Sequence, residues 1–230
     1  MCMTSVQVRS LCLFGSICAG VAGAAFVVMV VCALFAPTSI VTYVASEQYF
    51  EDFVAYKNKF ILLKWMMVIA NLALIGVVCA FFSLRRGENE GIVTWASVIA
   101  LIGFGAGIWQ AVEDLTMVPY LAREYAISSE MIRSVIIHLG VANPSMYLVS
   151  MGLPGIWFIV VSGKAWNNPM IPKHLVIFGL LWGIGNFFTI IAHVFIIIKL
   201  IYLVAIGALI CAPIWSISES IYLYKLSKKK

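Results

Sequence analysis

Gln110, Glu113 and Asp114 fall at helical spacing near the end of a long apolar run, and their types are the first in this chain that could do chemistry. On a helix, Gln110 shares a face with Glu113 at i+3 and with Asp114 at i+4. Carboxylates at that depth can titrate, hold a cation or pair with a base, and ionisable groups within spans are the default place to look for function. Counting about 1.5 Å per residue puts Lys64 and His193 at a similar depth in their own apolar runs, while Arg133 and His138 approach from a loop. Lys64, Gln110, Glu113, Asp114 and His193 therefore form a candidate outward-facing vestibule for an ion, a proton or a small polar solute. Adjacent helical residues point about 100° apart, so at most one of Glu113 and Asp114 faces any single pocket. The competing reading is a set of boundary residues, with Lys64 snorkelling and the acids meeting headgroups or loop arginines.

Deeper positions carry neutral polar groups: Asn71, Ser150, Asn186 and Thr189. Asparagine at mid-membrane usually bonds to a neighbouring helix for a gain of about 1 kcal/mol. Asn71 and Asn186 are thus structural glue first and solute ligands second. The absence of a charge at mid-depth speaks against a proton relay through the whole bilayer. Haem would need two histidines at one depth on facing helices, which His138, His174 and His193 do not offer. There is no H-E-x-x-H, no G-x-S-x-G and no phosphate-binding glycine loop. Cys2, Cys12, Cys18, Cys32, Cys79 and Cys211 include no C-x-x-C pair and read as small apolar filler. No cofactor or metal is expected, and an enzyme is the least expected class.

The elements that must position these residues follow from composition. Of 230 residues, 63% are apolar and 11% charged, against about 25% charged in a soluble domain. The mean hydropathy is +1.04. A soluble globular protein is excluded. The net charge of +5 comes mostly from Lys225 and Lys228 to Lys230, which excludes a nucleic-acid-binding face. A span needs about 20 apolar residues, and six runs qualify: 11–36, 60–84, 92–118, 144–162, 174–193 and 200–221. The first is too long for a signal-peptide core and reads as a retained span. The fold expected is all-α, one polytopic transmembrane bundle of six spans over residues 1–230.

With both termini cytoplasmic, nine of the fifteen Lys and Arg residues lie on the inner side, in the short loops where the positive-inside rule is reliable. Two outer loops are expected to carry interfacial helices. Ser46 can cap one that puts Tyr49, Phe50, Phe53 and Val54 on one side; 119–139 supplies the other. Small residues four apart, such as Gly103 and Gly107, Gly179 and Gly183, Gly207 and Cys211, allow close helix packing. Pro154 is placed to kink span four. Trp65, Trp95, Trp166 and Trp215 fit interfacial belts, and Trp109 and Trp182 lie deeper as packing residues.

The stretches Leu139–Leu148, Gly152–Phe158 and Pro172–Gly179, with Arg85-Arg86 closing span two, resemble the second half of small bacterial six-span integral membrane proteins of unknown function. That resemblance implies a bacterial inner membrane and transfers no site residues. The function expected is that of a non-enzymatic structural, assembly or sensing component, the alternative being a small-solute or ion transporter or channel. The expected partners are membrane lipids, a second copy or another membrane protein through the small-residue faces, and no nucleic acid.

Overall fold

The computed structural model describes residues 5–37, 39–40, 46–84, 90–139, 144–195 and 197–228. Among them the chain forms seven helices: α1 (Ser5–Leu34), α2 (Glu47–Leu84), α3 (Glu90–Ile127), α4 (Glu130–Leu139), α5 (Pro144–Ala165), α6 (Lys173–Val194) and α7 (Ile198–Lys228). All but α4 are long and apolar enough to cross a membrane, which makes six candidate spans. Each spanning helix packs extensively on the spanning helices before and after it, and α7 closes on α1. The result is a ring of six antiparallel helices.

Lipid tails give apolar helices no reason to associate, so the seams of the ring rest on close approach. A Cβ on Gly103 of α3 would lie 2.3 Å from Pro154 Cδ of α5, so the glycine is the socket for the proline ring. Gly183 of α6 similarly lets the backbone of α5 pass, with Gly155 O 2.8 Å from its would-be Cβ. The closing seam adds a reciprocal pair: Ser16 Oγ donates to Ser220 O and Ser220 Oγ to Ser16 O, both at 2.8 Å. Gly207, expected to be a packing residue, has nothing within 4 Å of the place a Cβ would occupy.

The half of the ring nearest the termini is filled with aromatic side chains. Phe81, Trp157, Phe158, Trp182 and Trp215 form one connected cluster, with Phe158 and Trp182 at 4.2 Å between centroids. Trp157 anchors it by donating Nε1–H to Ser97 Oγ at 3.3 Å. Trp215 is thus a buried core residue and not part of a belt, while Trp109 is 65% exposed on the perimeter and packs no core.

On the far side the elements differ from expectation. Ser46 does cap a helix, accepting from Tyr49 N at 3.1 Å. But that helix is continuous with span two, because no Gly or Pro falls between Glu47 and Ile75 to separate the amphipathic segment from the apolar one. Tyr49, Phe50 and Phe53 are buried, whereas Val54 is exposed. Likewise α3 runs through Pro119 to Ile127. Val118 and Ala122 on either side of that proline are buried with Phe50, Phe53 and Tyr125, and this packing holds the helix together despite the lost hydrogen bond. Phe50 stacks on Tyr125 at 4.5 Å, and Ile136 of α4 and Ile40 complete the cluster. The long helices thus build a second hydrophobic core over one mouth of the ring.

Candidate ligand cavity

Between the aromatic floor and this cap, the ring is hollow. The cavity has a volume of about 240 Å³ and receives side chains from all six spanning helices. Its floor is Phe26 of α1 meeting Trp182 of α6 edge-to-face at 5.4 Å, a contact between helices that are not neighbours in the ring. Its roof is Tyr56, Phe60 and Ile40, which belong to the cap as well. Most of the wall is apolar. The polar groups gather on α2, α3, α5 and α6: Lys64, Asn71, Gln110, Ser150 and Asn186.

Lys64 and Asp114 form a salt bridge at 2.5 Å, with the lysine 2% and the aspartate 3% exposed. The ammonium also lies 5.3 Å from the centroid of Phe60, on the ring's negative face. The boundary reading of Lys64 as a snorkelling residue is therefore corrected. The cap blocks the way to water on that side, and the nearest anion is on the next helix. Glu113 is half-buried outside this pair, as the angle between adjacent helical residues requires.

One turn below Asp114, Gln110 is 1% exposed and accepts from Ser150 Oγ of α5 at 3.2 Å. Asn71 donates Nδ2–H to Met67 O of its own helix at 2.9 Å, and its carboxamide fills the hollow over Gly107, 3.0 Å from that residue's would-be Cβ. Asn186 is 4% exposed, and its carboxamide has no hydrogen-bond partner among the described residues. The glue reading of Asn186 thus fails: it bonds to no neighbouring helix among those residues, and it faces the hollow. Thr189 donates to Gly185 O of its own turn. The backbone of His193 belongs to α6, but its side chain lies outside the described residues.

Arg133 and His138 do not join the site. Arg133 donates Nε–H to Tyr125 O at 2.9 Å and a terminal N–H to Ala126 O at 3.2 Å, closing the end of α3. His138 Nδ1 meets Ser134 O of its own helix. Among the described residues no three of His, Cys, Asp and Glu gather as a metal group. One residue that sequence reasoning misses is Glu219. It is 3% exposed, beside Ser162, Trp215 and Tyr222 in a small hollow near the terminal end. An acid within the last apolar run is the available signal.

A ring of six helices, each long and apolar enough to cross a membrane, around an internal cavity with a polar side defines an all-α bundle of membrane-protein type. The chain belongs to the DUF4386 family, described as a domain of unknown function, whose model matches residues 21–224. Neither a curated protein nor a solved structure matches the chain.

Proposed function

We propose that this is a non-enzymatic membrane protein that binds a small molecule inside the ring, as a sensor or carrier component of a bacterial inner membrane with both termini cytoplasmic. The observation that carries the reading is Asn186, a buried carboxamide without a partner among the described residues, turned into a cavity that all six spans line. A bundle that needed only to hold together would close such a hole, because an empty cavity costs about 24 cal/mol per Å³. Binding accounts better than conduction for the shape. The aromatic floor fills the ring on one side and the cap covers the other, so a channel would have to displace both.

The test is extraction. Protein purified from its native membrane is denatured in organic solvent, and the extract is compared by mass spectrometry with that of Ala70→Phe, which fills the cavity from α2. A small molecule present with wild type and missing from the folded variant supports binding. Identical extracts from the two proteins overturn it.

A further inference from the structure

The walls of the cavity are unequal, and the inequality bears on what enters it and from where. On α2, α3, α5 and α6 most lining residues are buried, among them Phe60, Lys64, Gln110, Ser150, Trp182 and Asn186. On α1 the lining residues Phe26, Met29, Val30 and Ala33 are only half-buried, and so are Ala208, Leu209 and Pro213 on α7. These two helices meet closely nearer the termini, where a Cβ on Gly23 would lie 2.7 Å from Ile217. Farther along, both turn their facing residues to the hollow. Pro213 cannot donate to the Leu209 carbonyl, which loosens the ladder of α7 at the level of the cavity. Beyond it Gly207 stands in open space. The flanking residues Val27, Val31, Leu203, Ile206 and Ile210 are exposed and apolar, so this gap faces lipid.

The chemistry inside restricts the occupant. Lys64 already carries a counter-ion in Asp114, so the pair presents no net charge to the cavity. An ionised guest would bring an unpaired charge into the ring, which the low dielectric there penalises. Asn186 offers both a donor and an acceptor, and Asn71 and Gln110 each keep one end of a carboxamide unbonded among the described residues. A cavity of about 150 Å³ holds benzene. One of about 240 Å³ holds roughly ten heavy atoms on the same scale.

We propose that the cavity binds an uncharged, membrane-dissolved molecule of bicyclic size, with an apolar body and a hydroxyl or carbonyl that hydrogen-bonds Asn186, and that it passes between α1 and α7. This rests on the binding function proposed above. It names the class of ligand and the route.

The probes are 2-naphthol, naphthalene and 2-naphthoate, titrated by calorimetry against the full chain in nanodiscs, with empty nanodiscs subtracted. The expected order puts 2-naphthol about tenfold tighter than naphthalene, the equivalent of one hydrogen bond to a buried amide. It puts 2-naphthoate weakest. Asn186→Leu should abolish the preference while retaining naphthalene. Equal affinity for naphthol and naphthalene, tightest binding of naphthoate, or an unchanged preference in Asn186→Leu overturns the assignment of ligand class. For the route, Val31→Trp, on the exposed rim of the gap and outside the cavity lining, should slow association of 2-naphthol about tenfold with little change in affinity, since a blocked mouth raises the barrier both ways. Ile102→Trp, on the exposed face of α3 away from that gap, should not. Ile206→Trp on α7, likewise exposed and outside the lining, serves if Val31→Trp does not fold. Unchanged association in the folded mouth variant overturns the lateral route. Naphthalene binding without selectivity removes the ligand class and leaves the binding function standing. If no probe binds and the extraction also fails, the binding function itself is lost.

Discussion

Lys64 Nζ of α2 and Asp114 Oδ2 of α3 are 2.5 Å apart in a setting where both side chains are almost wholly buried. Two charges taken from water have lost several kcal/mol of hydration each, and their mutual attraction returns that loss only while both are present. The pair therefore acts as one neutral unit. It lets a ring of apolar helices carry polarity next to a cavity without exposing a net charge to the membrane.

Removing one member should be far worse than removing both. Lys64→Met or Asp114→Leu alone is expected to destabilise the protein by about 3–5 kcal/mol, because each leaves the other charge buried and unmatched. The double variant Lys64→Met/Asp114→Leu should recover most of that loss. Chemical denaturation in mild detergent would read it. Additive effects of the two substitutions would show that the charges are not coupled.

The glycines divide into those that are seams and those that are not. Gly183→Ala places a methyl 2.8 Å from Gly155 O and 2.9 Å from Ile159 Cγ1, and should cost about 1–3 kcal/mol by overpacking. Gly207→Ala has nothing within 4 Å and should stabilise α7 by up to about 1 kcal/mol through helix propensity alone. Thermal melts of the two variants side by side should move in opposite directions. A shared direction would mean that spacing in the sequence, and not the closeness of the partner helix, sets the cost.

Arg133 ties the cap to the end of α3 through two backbone carbonyls and sits 5.2 Å from the Tyr125 centroid. Arg133→Ala should loosen the cap locally, at about 1–2 kcal/mol. Hydrogen exchange should rise over 120–139 and stay unchanged in the aromatic floor around Trp157 and Trp182. A uniform rise throughout the chain would show that the cap is not a separate cooperative unit.

The number of spans and most of the residues of the site are legible in the sequence because hydropathy and helical spacing are local properties. Gln110 and Asp114 sit one turn apart on α3, and Lys64 lies at the same depth by counting alone. Their pairing is not legible, because it depends on α2 and α3 being neighbours with the cap above them. That cap stays hidden while Pro119 reads as a stop and the Ser46 helix as separate from its span. In both places burial of Phe50, Phe53, Val118 and Tyr125 outweighs the local signal. Trp215 is misplaced and Glu219 missed for a related reason. Both lie in the second half of α7, where depth along the chain says nothing about which side faces the ring.

The cytoplasmic placement of both termini proposed above rests on the basic residues. The order of the six apolar runs assigns nine of fifteen to the side of the termini, and short loops with that excess stay cytoplasmic. Ser129, between α3 and α4, and Asn167, after α5, are exposed and belong to opposite ends of the ring. With cysteine introduced at each, a membrane-impermeable maleimide added to intact cells should label Ser129→Cys and spare Asn167→Cys. Inverted vesicles should show the reverse. The described native cysteines are free, and four of the five sit in the ring at least half-buried, so the wild type supplies the background. Labelling of Asn167→Cys alone from outside would invert the protein and place the cap in the cytoplasm. Labelling of both from one side would break the ring of six spans, since an odd number of crossings separates the two positions.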